Sequence, residues 1–342
     1  MEQFNATTLQ EFILLGFRVG QQGRLLLLIS FTLVYVLTLV ENMIIVLVVS
    51  QDVHLSSLPM YILLSNFSWL EVCYVSATVP RMLFDLSFPG GAISFHACFI
   101  QFYVFFSLGT TECLFLSTMA LDRYLAICCP LQYTQIMSKE FCFLLVTLCW
   151  VIGFLCYIAP ASLISRLSFC GPNSIDHYIC DSGGLLALAC HPPESLSLFC
   201  YITSSAIILG TFFFIVVSYV GIIFTLAKKS SENAGNKGFQ TVSSHLAVVT
   251  LFYGSVATMY IGHTEKNRTE NMKVITLFYS AVAPLLNPFI YCLRNNQVKD
   301  ALLRLLRKKR GKGTISGTQK EAIPPESQSS PWAEASQGEN MT

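Results

Sequence analysis

Five ionisable residues stand inside or at the end of long apolar runs, where an isolated charge is costly enough that each is a candidate for function. Glu41, Glu71 and Glu112 fall within the first, second and third of these runs, and Asp122 and Arg123 close the third. Glu71 and Glu112 belong to segments that would be neighbouring helices, so they could share a cation or a proton. The alternative is that they are protonated or hydrogen-bonded packing groups, which is also the reading for Glu41. Three separated acids give no continuous proton path, which argues against a pump. In Asp122-Arg123-Tyr124 the acid can hold the arginine, and the arginine can later be released to another partner, which describes a switch. The alternative is an interface ion pair with Arg123 snorkelling to water. Asn287-Pro288-Phe289-Ile290-Tyr291 sets a proline inside the last run, where it removes a backbone donor and frees a carbonyl that needs a polar partner. Asn287 could supply one; a plain structural kink is the other reading. His96, His177, His191 and His245 lie in different segments without motif spacing, and no cysteine pair has zinc-site spacing, so neither an enzyme nor a metal or cofactor is expected. Pore-lining polar rows and internal repeats, which a channel or transporter would need, are missing from the pattern.

The elements that must position these groups follow from composition. Of 342 residues 53% are hydrophobic and 12% charged, with a mean hydropathy of +0.57, too apolar for a chain whose surface faces water. A bilayer core of about 30 Å takes roughly 20 helical residues. Seven such runs occur, at Leu25 to Val49, Leu58 to Leu83, Ala97 to Cys128, Phe141 to Leu163, Leu196 to Leu226, His245 to Gly262 and Met272 to Leu293. The expected fold is therefore an all-α membrane protein, a seven-transmembrane helix bundle with a short amphipathic helix after the last span.

An odd number of spans puts the termini on opposite sides. With the C-terminus inside, 14 of the 21 lysines and arginines are cytoplasmic and 7 extracellular, which places the N-terminus outside. Residues 1–24 would then be extracellular, 25–293 the receptor-like bundle, 294–312 a basic amphipathic helix on the inner leaflet, and 313–342 a disordered cytoplasmic tail. The first 15 residues have no basic stretch ahead of an apolar one, so the first span directs insertion itself. Asn5-Ala6-Thr7 is a glycosylation sequon on the outer side. Of the thirteen cysteines, Cys98, Cys170, Cys180 and Cys190 meet the oxidising side and fit two disulfides, with three pairings open. They would order an outer loop of over thirty residues that has no helix of its own.

Several longer strings share this order. They are Pro59-Met60-Tyr61 opening the second span, Met119 to Cys128 (MALDRYLAIC) closing the third, Ser243-Ser244-His245-Leu246 entering the sixth, and Pro284 to Tyr291 (PLLNPFIY) in the seventh. Taken together they resemble the rhodopsin-like receptors, specifically the vertebrate olfactory receptors, over about residues 5 to 310. The resemblance implies that Cys98 pairs with Cys180 and Cys170 with Cys190. It implies an activation switch of Asp122, Arg123, Tyr124, Tyr219, Asn287, Pro288 and Tyr291, and an inner cation site at Glu71 and Glu112. It further implies a small-molecule odorant, a stimulatory, olfactory-type heterotrimeric G protein and cAMP as output, in the plasma membrane of sensory cilia. Membrane lipids and a trafficking chaperone are further expected partners, and nucleic acid is not. Departures from the family pattern are Glu41 where glycine usually precedes Asn42, Glu71 for aspartate, Leu121 for tyrosine, and Lys237 to Val242 in place of KAFSTC. They bear on basal activity and expression.

A bundle site is expected to be concave, mostly apolar and set with a few polar groups. In the outer halves the candidates are Phe105, Phe106, Gly109 and Thr110, then Thr203 and Ile207, then Tyr253, Val256 and Tyr260, with Ser280 on the last span. The third span carries no acid between Phe95 and Thr111, so an amine would find no counter-ion there. The ligand read from this set is small, hydrophobic and largely uncharged, held by one or two hydrogen bonds. A receptor for a non-odorant small molecule or lipid shares this pocket chemistry.

Overall fold

A computed structural model of the chain describes residues 10–170, 172–228, 232–261, 268–292, 297–305 and 307, with the side chains of 232–241, 259–261, 268 and 292 excepted. The described residues through Ala301 form one compact unit, and those from Leu302 on belong to a second and are helical. The tail from 313, Asn5, Asn267 and the ends of the expected 294–312 helix lie outside the described residues.

The seven apolar runs become seven crossing helices, each extended past its hydrophobic stretch into polar flanks. They are α1 (Gln21–Gln51), α2 (Pro59–Ser87), α3 (Phe95–Cys128), α5 (Lys139–Ser165), α7 (Glu194–Lys228), α8 (Glu232–Ile261) and a last crossing made of α9 (Arg268–Leu277), a π-helical turn (Phe278–Val282) and α10 (Ala283–Cys292). Six are long and apolar enough to span a bilayer, and the apolar part of α8 is Val242–Thr258. α8 starts well before the His245 read from hydropathy. Its first turns are polar, and transfer to lipid is not what makes them helical. Capping fixes several starts: Pro59 stands at the first position of α2, Ser94 accepts from the Ala97 amide and Ser138 from the Phe141 amide.

α3 runs through the middle, against α2, α5 and α7, while α1, α5 and α7 turn apolar faces outward, among them Leu26, Leu33, Leu155, Phe213 and Phe224. An apolar exterior on helices of bilayer length belongs in lipid. α5 meets α3 closely because residue 153 is glycine: a Cβ there would lie 2.0 Å from Thr111 Oγ1 and 3.1 Å from the Ser107 carbonyl oxygen.

The proline in the last crossing has the expected consequence and an unexpected partner. Pro288 has no N–H for the carbonyl four residues back, that of Pro284. The donor that reaches it is Asn42 Nδ2 from α1, at 3.2 Å, and not Asn287, which donates instead to Glu71. On the inner side, Tyr61 of α2 donates to Gln297 Oε1 at 2.7 Å, in the helical stretch 297–305, where Val298 and Ala301 are buried.

The outer face carries structure that hydropathy did not show. A three-stranded sheet, ordered β2-β1-β3, pairs β1 (Glu11–Leu14) antiparallel with β2 (Ala92–Ser94), Phe12 opposite Ile93, and parallel with β3 (Ser174–Ile175). The second outer loop, expected to have no helix, contains α6 (Ser182–Leu188), started by Asp181, whose carboxylate accepts from the amides of Gly183 and Gly184. A two-glycine first turn keeps those amides open to the cap. A short α4 (Pro130–Ile136) follows α3 on the inner side.

Candidate functional site

The outer loop is held down as a roof. The disulfides are Cys98–Cys180, which ties the loop to the top of α3, and Cys170–Cys190, which closes a 20-residue loop. That resolves the three pairings open in the sequence. Gln101 of α3 takes the Cys180 amide at 3.2 Å on Oε1 and gives its Nε2 to the Ala77 carbonyl of α2 at 3.3 Å. Phe12, Phe95, Phe99 and Phe169 pack edge and face over the loop's root. Tyr178 is driven inward, stacked on Phe17 at 5.4 Å, its hydroxyl 3.4 Å from Ser280 Oγ. Burial raises its phenol well above the ordinary tyrosine range. An ion cluster seals one edge. The Lys273 ammonium of α9 is fully buried and donates at 2.8 Å to both Asp176 of the loop and Glu270, while Arg18 of the N-terminal segment reaches Asp176 at 2.8 Å. Beside it the His177 imidazole is held below its ordinary value by burial, against the opposing pull of Asp181, and its Nδ1 accepts the Ile179 amide at 3.2 Å.

Under this roof lies a cavity of about 1150 Å³. Phe105, Phe106, Gly109, Thr110, Ile207 and Val256, all expected from the sequence, line it. Thr203, Tyr253 and Ser280 do not. Thr203 is turned off the cavity by the 100° step to Ser204, which does line it; Tyr253 spends its hydroxyl on Thr211 Oγ1 at 2.8 Å; Ser280 is covered by Tyr178. The Tyr260 side chain lies outside the described residues. Much of the remaining wall was not foreseen, among it Tyr74 from α2, Cys113, Tyr157, Tyr279 and most of the loop residues between Ser174 and Leu188. Sequence gave no signal for them beyond their place in outer halves of spans, since helix phase relative to the cavity is set by packing. The loop brings Asp176, His177 and Asp181 to the wall, and no lysine or arginine lines it among the described residues. Acids missing from α3 thus enter from the roof, with Asp176 neutralised by Arg18 and Lys273 and Asp181 engaged as a helix cap.

Below the cavity is a polar strip. Glu71 and Glu112 are both fully buried and within electrostatic reach of each other. Asn287 Nδ2 donates to Glu71 Oε1 at 2.5 Å. Glu71 Oε2, both Glu112 carboxyl oxygens and Asn287 Oδ1 are buried without a hydrogen-bond partner among the described residues. That is an oxygen-only set with lone pairs to spare, which a proton or a hard cation would satisfy. Glu41 also has an unpartnered buried oxygen, Oε2, but stands apart on α1.

At the inner end, the Arg123 guanidinium lies 3.7 Å from Asp122. Asp122 is buried and accepts the Tyr133 hydroxyl of α4 at 2.8 Å, a partner that the sequence reading missed. Tyr219 of α7 is hydrogen-bonded to His245 Nδ1 of α8, their rings stacked at 5.8 Å. Arg123 is close enough for its charge to act on Tyr219, His245 and Tyr291. The Tyr291 hydroxyl has no hydrogen-bond partner among the described residues. The structure therefore brings Arg123, Tyr219 and Tyr291 together, adds His245 from the Ser243-Ser244-His245-Leu246 string, and sets Tyr124 aside, packed over Gly221 of α7. Asn287 and Pro288 sit one layer up, in the polar strip and at the helix break.

A cavity roofed by a disulfide-tied loop, a buried acid strip and an arginine–tyrosine cluster, stacked along one seven-helix bundle, can be compared with known proteins. The crystal structure of squid rhodopsin superposes with a TM-score of 0.69 over 95% of this chain and 94% of that one, at 16% identity, which establishes the seven-helix receptor fold. The sequence model of the olfactory receptor family matches residues 31–309. Human olfactory receptor 11H6 is 53% identical over 297 residues, 86% of this chain and 89% of its own length, and human olfactory receptor 11G2 is 49% identical over 298, covering 87% and 86%. Identity at this level over nearly the whole bundle leaves one assignment: the chain belongs to the olfactory receptor family of multi-pass, rhodopsin-like G-protein-coupled receptors.

Proposed function

We propose that this receptor takes a small, hydrophobic, largely uncharged odorant into the outer cavity and signals through a stimulatory, olfactory-type G protein to raise cAMP. The observation that carries the reading is the apolar cavity itself: large enough for a volatile molecule, free of lysine and arginine among its described lining residues, and on the same bundle axis as the arginine–tyrosine cluster. Phe105, Phe106, Gly109, Thr110, Ile207 and Val256 are its contacts, with Tyr253 and Ser280 supporting from behind. An agonist that binds better to the conformation with the inner end of α8 moved outward shifts the population towards it. The Tyr219–His245 bond is the closed latch, and on its release Arg123, Tyr219 and Tyr291 rearrange to admit the G protein, with Asp122, Tyr124, Asn287 and Pro288 framing the movement. The orphaned oxygens around Glu71 and Glu112 support a shared cation or proton between cavity and latch.

The N-terminus, glycosylated at Asn5, faces outward and the C-terminus the cytoplasm, in the plasma membrane of sensory cilia, with a trafficking chaperone and lipids as further partners. The test is cAMP accumulation in cells co-expressing the receptor, a chaperone and the stimulatory G protein, across a chemically broad odorant panel. An agonist response in the wild type that Arg123→Ala abolishes at equal surface expression is expected. Unchanged signalling in Arg123→Ala would refute the latch, and a ligand-gated current without G protein would refute the mechanism.

A further inference from the structure

The cavity's inner end holds a hydroxyl that no described residue uses. Gly109 lies eleven residues below Cys98 on α3, about 16 Å down at 1.5 Å per residue, just above the Glu71–Glu112 strip. Opposite it, Tyr74 of α2 lies flat against Phe105, ring centroids 5.1 Å apart, so its orientation is fixed. The ring is buried, yet the residue lines the cavity, and no hydrogen bond ties its hydroxyl to any described residue. Three other hydroxyls of the helical wall are committed. Tyr157 pairs with Ser204 at 2.9 Å, Thr110 donates to the Phe106 carbonyl at 3.0 Å, and Tyr279 is bonded to Thr276. The Tyr74 hydroxyl is reachable because residue 109 has no side chain: a methyl group there would sit 3.2 Å from it. A donor that faces the cavity and has no hydrogen-bond partner among the described residues is available to a ligand acceptor.

Resting on the reading of this cavity as the agonist site, we propose that Tyr74 is a ligand-binding residue whose hydroxyl donates to the carbonyl oxygen of an uncharged aldehyde, ketone or ester, and that Gly109 is the opening through which the carbonyl reaches it. A carboxylate is disfavoured, since no lysine or arginine lines the wall among the described residues to neutralise it, whereas a neutral carbonyl needs one donor only. The rest of the ligand points outward, along Phe106, Ile207 and Val256, towards the roof.

The experiment uses the full-length receptor in cells, with cAMP concentration–response curves for a panel of aliphatic and aromatic aldehydes, ketones and esters, set beside alkanes, amines and carboxylic acids of matched size. Four versions are compared: wild type, Tyr74→Phe, Gly109→Ala and the double variant. Uncharged carbonyl compounds are expected to be the potent agonists. Tyr74→Phe raises their EC50 about tenfold, the worth of one hydrogen bond at the upper end of its usual range, with the maximal response retained. Gly109→Ala, which favours the helix, does the same by covering the hydroxyl. The double variant is no worse than either single one, because a methyl cannot cover a hydroxyl that is gone. A purely structural role gives additive shifts, about a hundredfold in the double variant, and overturns the proposal. So do unchanged EC50 values in both single variants, potent agonists drawn only from the alkanes, amines or acids, or silence towards every carbonyl compound at confirmed surface expression. If Tyr74→Phe fails to reach the surface, Gly109→Ala alone decides. The filled variant Ile207→Trp separates the two readings: a carbonyl response that survives it refutes the cavity as the agonist site, whereas a response lost in it but unshifted in Tyr74→Phe refutes the role of Tyr74 alone.

Discussion

The bond between Asn42 and the Pro284 carbonyl makes a prediction that can be worked through in numbers. Pro288 removes the amide that would have closed the helix onto that carbonyl, and Asn42 Nδ2 replaces it from α1 at 3.2 Å, with both residues of the break buried or nearly so. The same amide also contacts the Thr38 carbonyl at 3.0 Å, but that oxygen keeps its own helical donor, the Asn42 backbone N–H. Replacing Asn42 by Ala therefore strands one carbonyl, that of Pro284, at a cost of about 1–3 kcal/mol. In a Pro288→Ala background the helix supplies its own N–H, and the same substitution loses most of that cost. A double-mutant cycle should give a coupling of about 1–2 kcal/mol, with Asn42→Ala the milder change when Pro288 is absent. The readout is thermal unfolding of the four purified receptors in the same detergent. Additivity within about 0.5 kcal/mol would show that Asn42 does not serve the carbonyl freed by Pro288.

Three other predictions follow from the packing and the roof. Gly153→Ala drives a methyl to 2.0 Å from Thr111 Oγ1, so α3 and α5 must part; surface expression should fall sharply, and Thr111→Ala should restore part of it, the Ser107 carbonyl at 3.1 Å limiting the rescue. In the ion cluster the buried member is the cation. Lys273→Met leaves Asp176, 36% exposed, to Arg18 and frees Glu270, 49% exposed, to rehydrate, at about 1 kcal/mol, whereas Asp176→Asn with Glu270→Gln leaves a fully buried ammonium, at about 3 kcal/mol or more. Melting temperatures that rank the other way would contradict this account of the cluster. His177, faced by Asp176, Asp181, Lys273 and Glu270, has a folded-state pKa below its ordinary value of 6.5, so the unfolded chain binds the proton first and stability is lost as pH falls below that value. Going from about pH 7.5 to about pH 5.5 should lower the melting temperature, and His177→Asn, whose side chain can accept the same amide two residues on without titrating, should flatten the dependence.

Hydropathy and short polar strings made the bundle legible, because lipid imposes a simple rule of length and backbone satisfaction on each span. Polar residues stranded at membrane depth pointed to Glu71, Glu112, Asp122 and Arg123, but not to the bond between Asn287 and Glu71, and Tyr219 and Tyr291 came only with the family resemblance. The roof was not, because β1, β3 and α6 depend on disulfides, a carboxylate cap and pairing between distant segments, none of which leaves a periodic trace. The partner of the Pro284 carbonyl was misread for a related reason. A proline shows that a carbonyl is freed, but the donor comes from whichever helix packs there, and here that is Asn42 of α1. Tyr74 escaped notice because an aromatic residue on a buried helix face reads as core, and only the missing side chain at Gly109 shows that its hydroxyl is open.

The most direct test of the central claim, that the cavity beneath the roof is where agonist binds, is the cAMP concentration–response of one agonist in the wild type and in Ile207→Trp with Val256→Trp at matched surface expression. Loss of the response on filling the cavity is the predicted result; an unchanged EC50 and maximum with the cavity filled would contradict it.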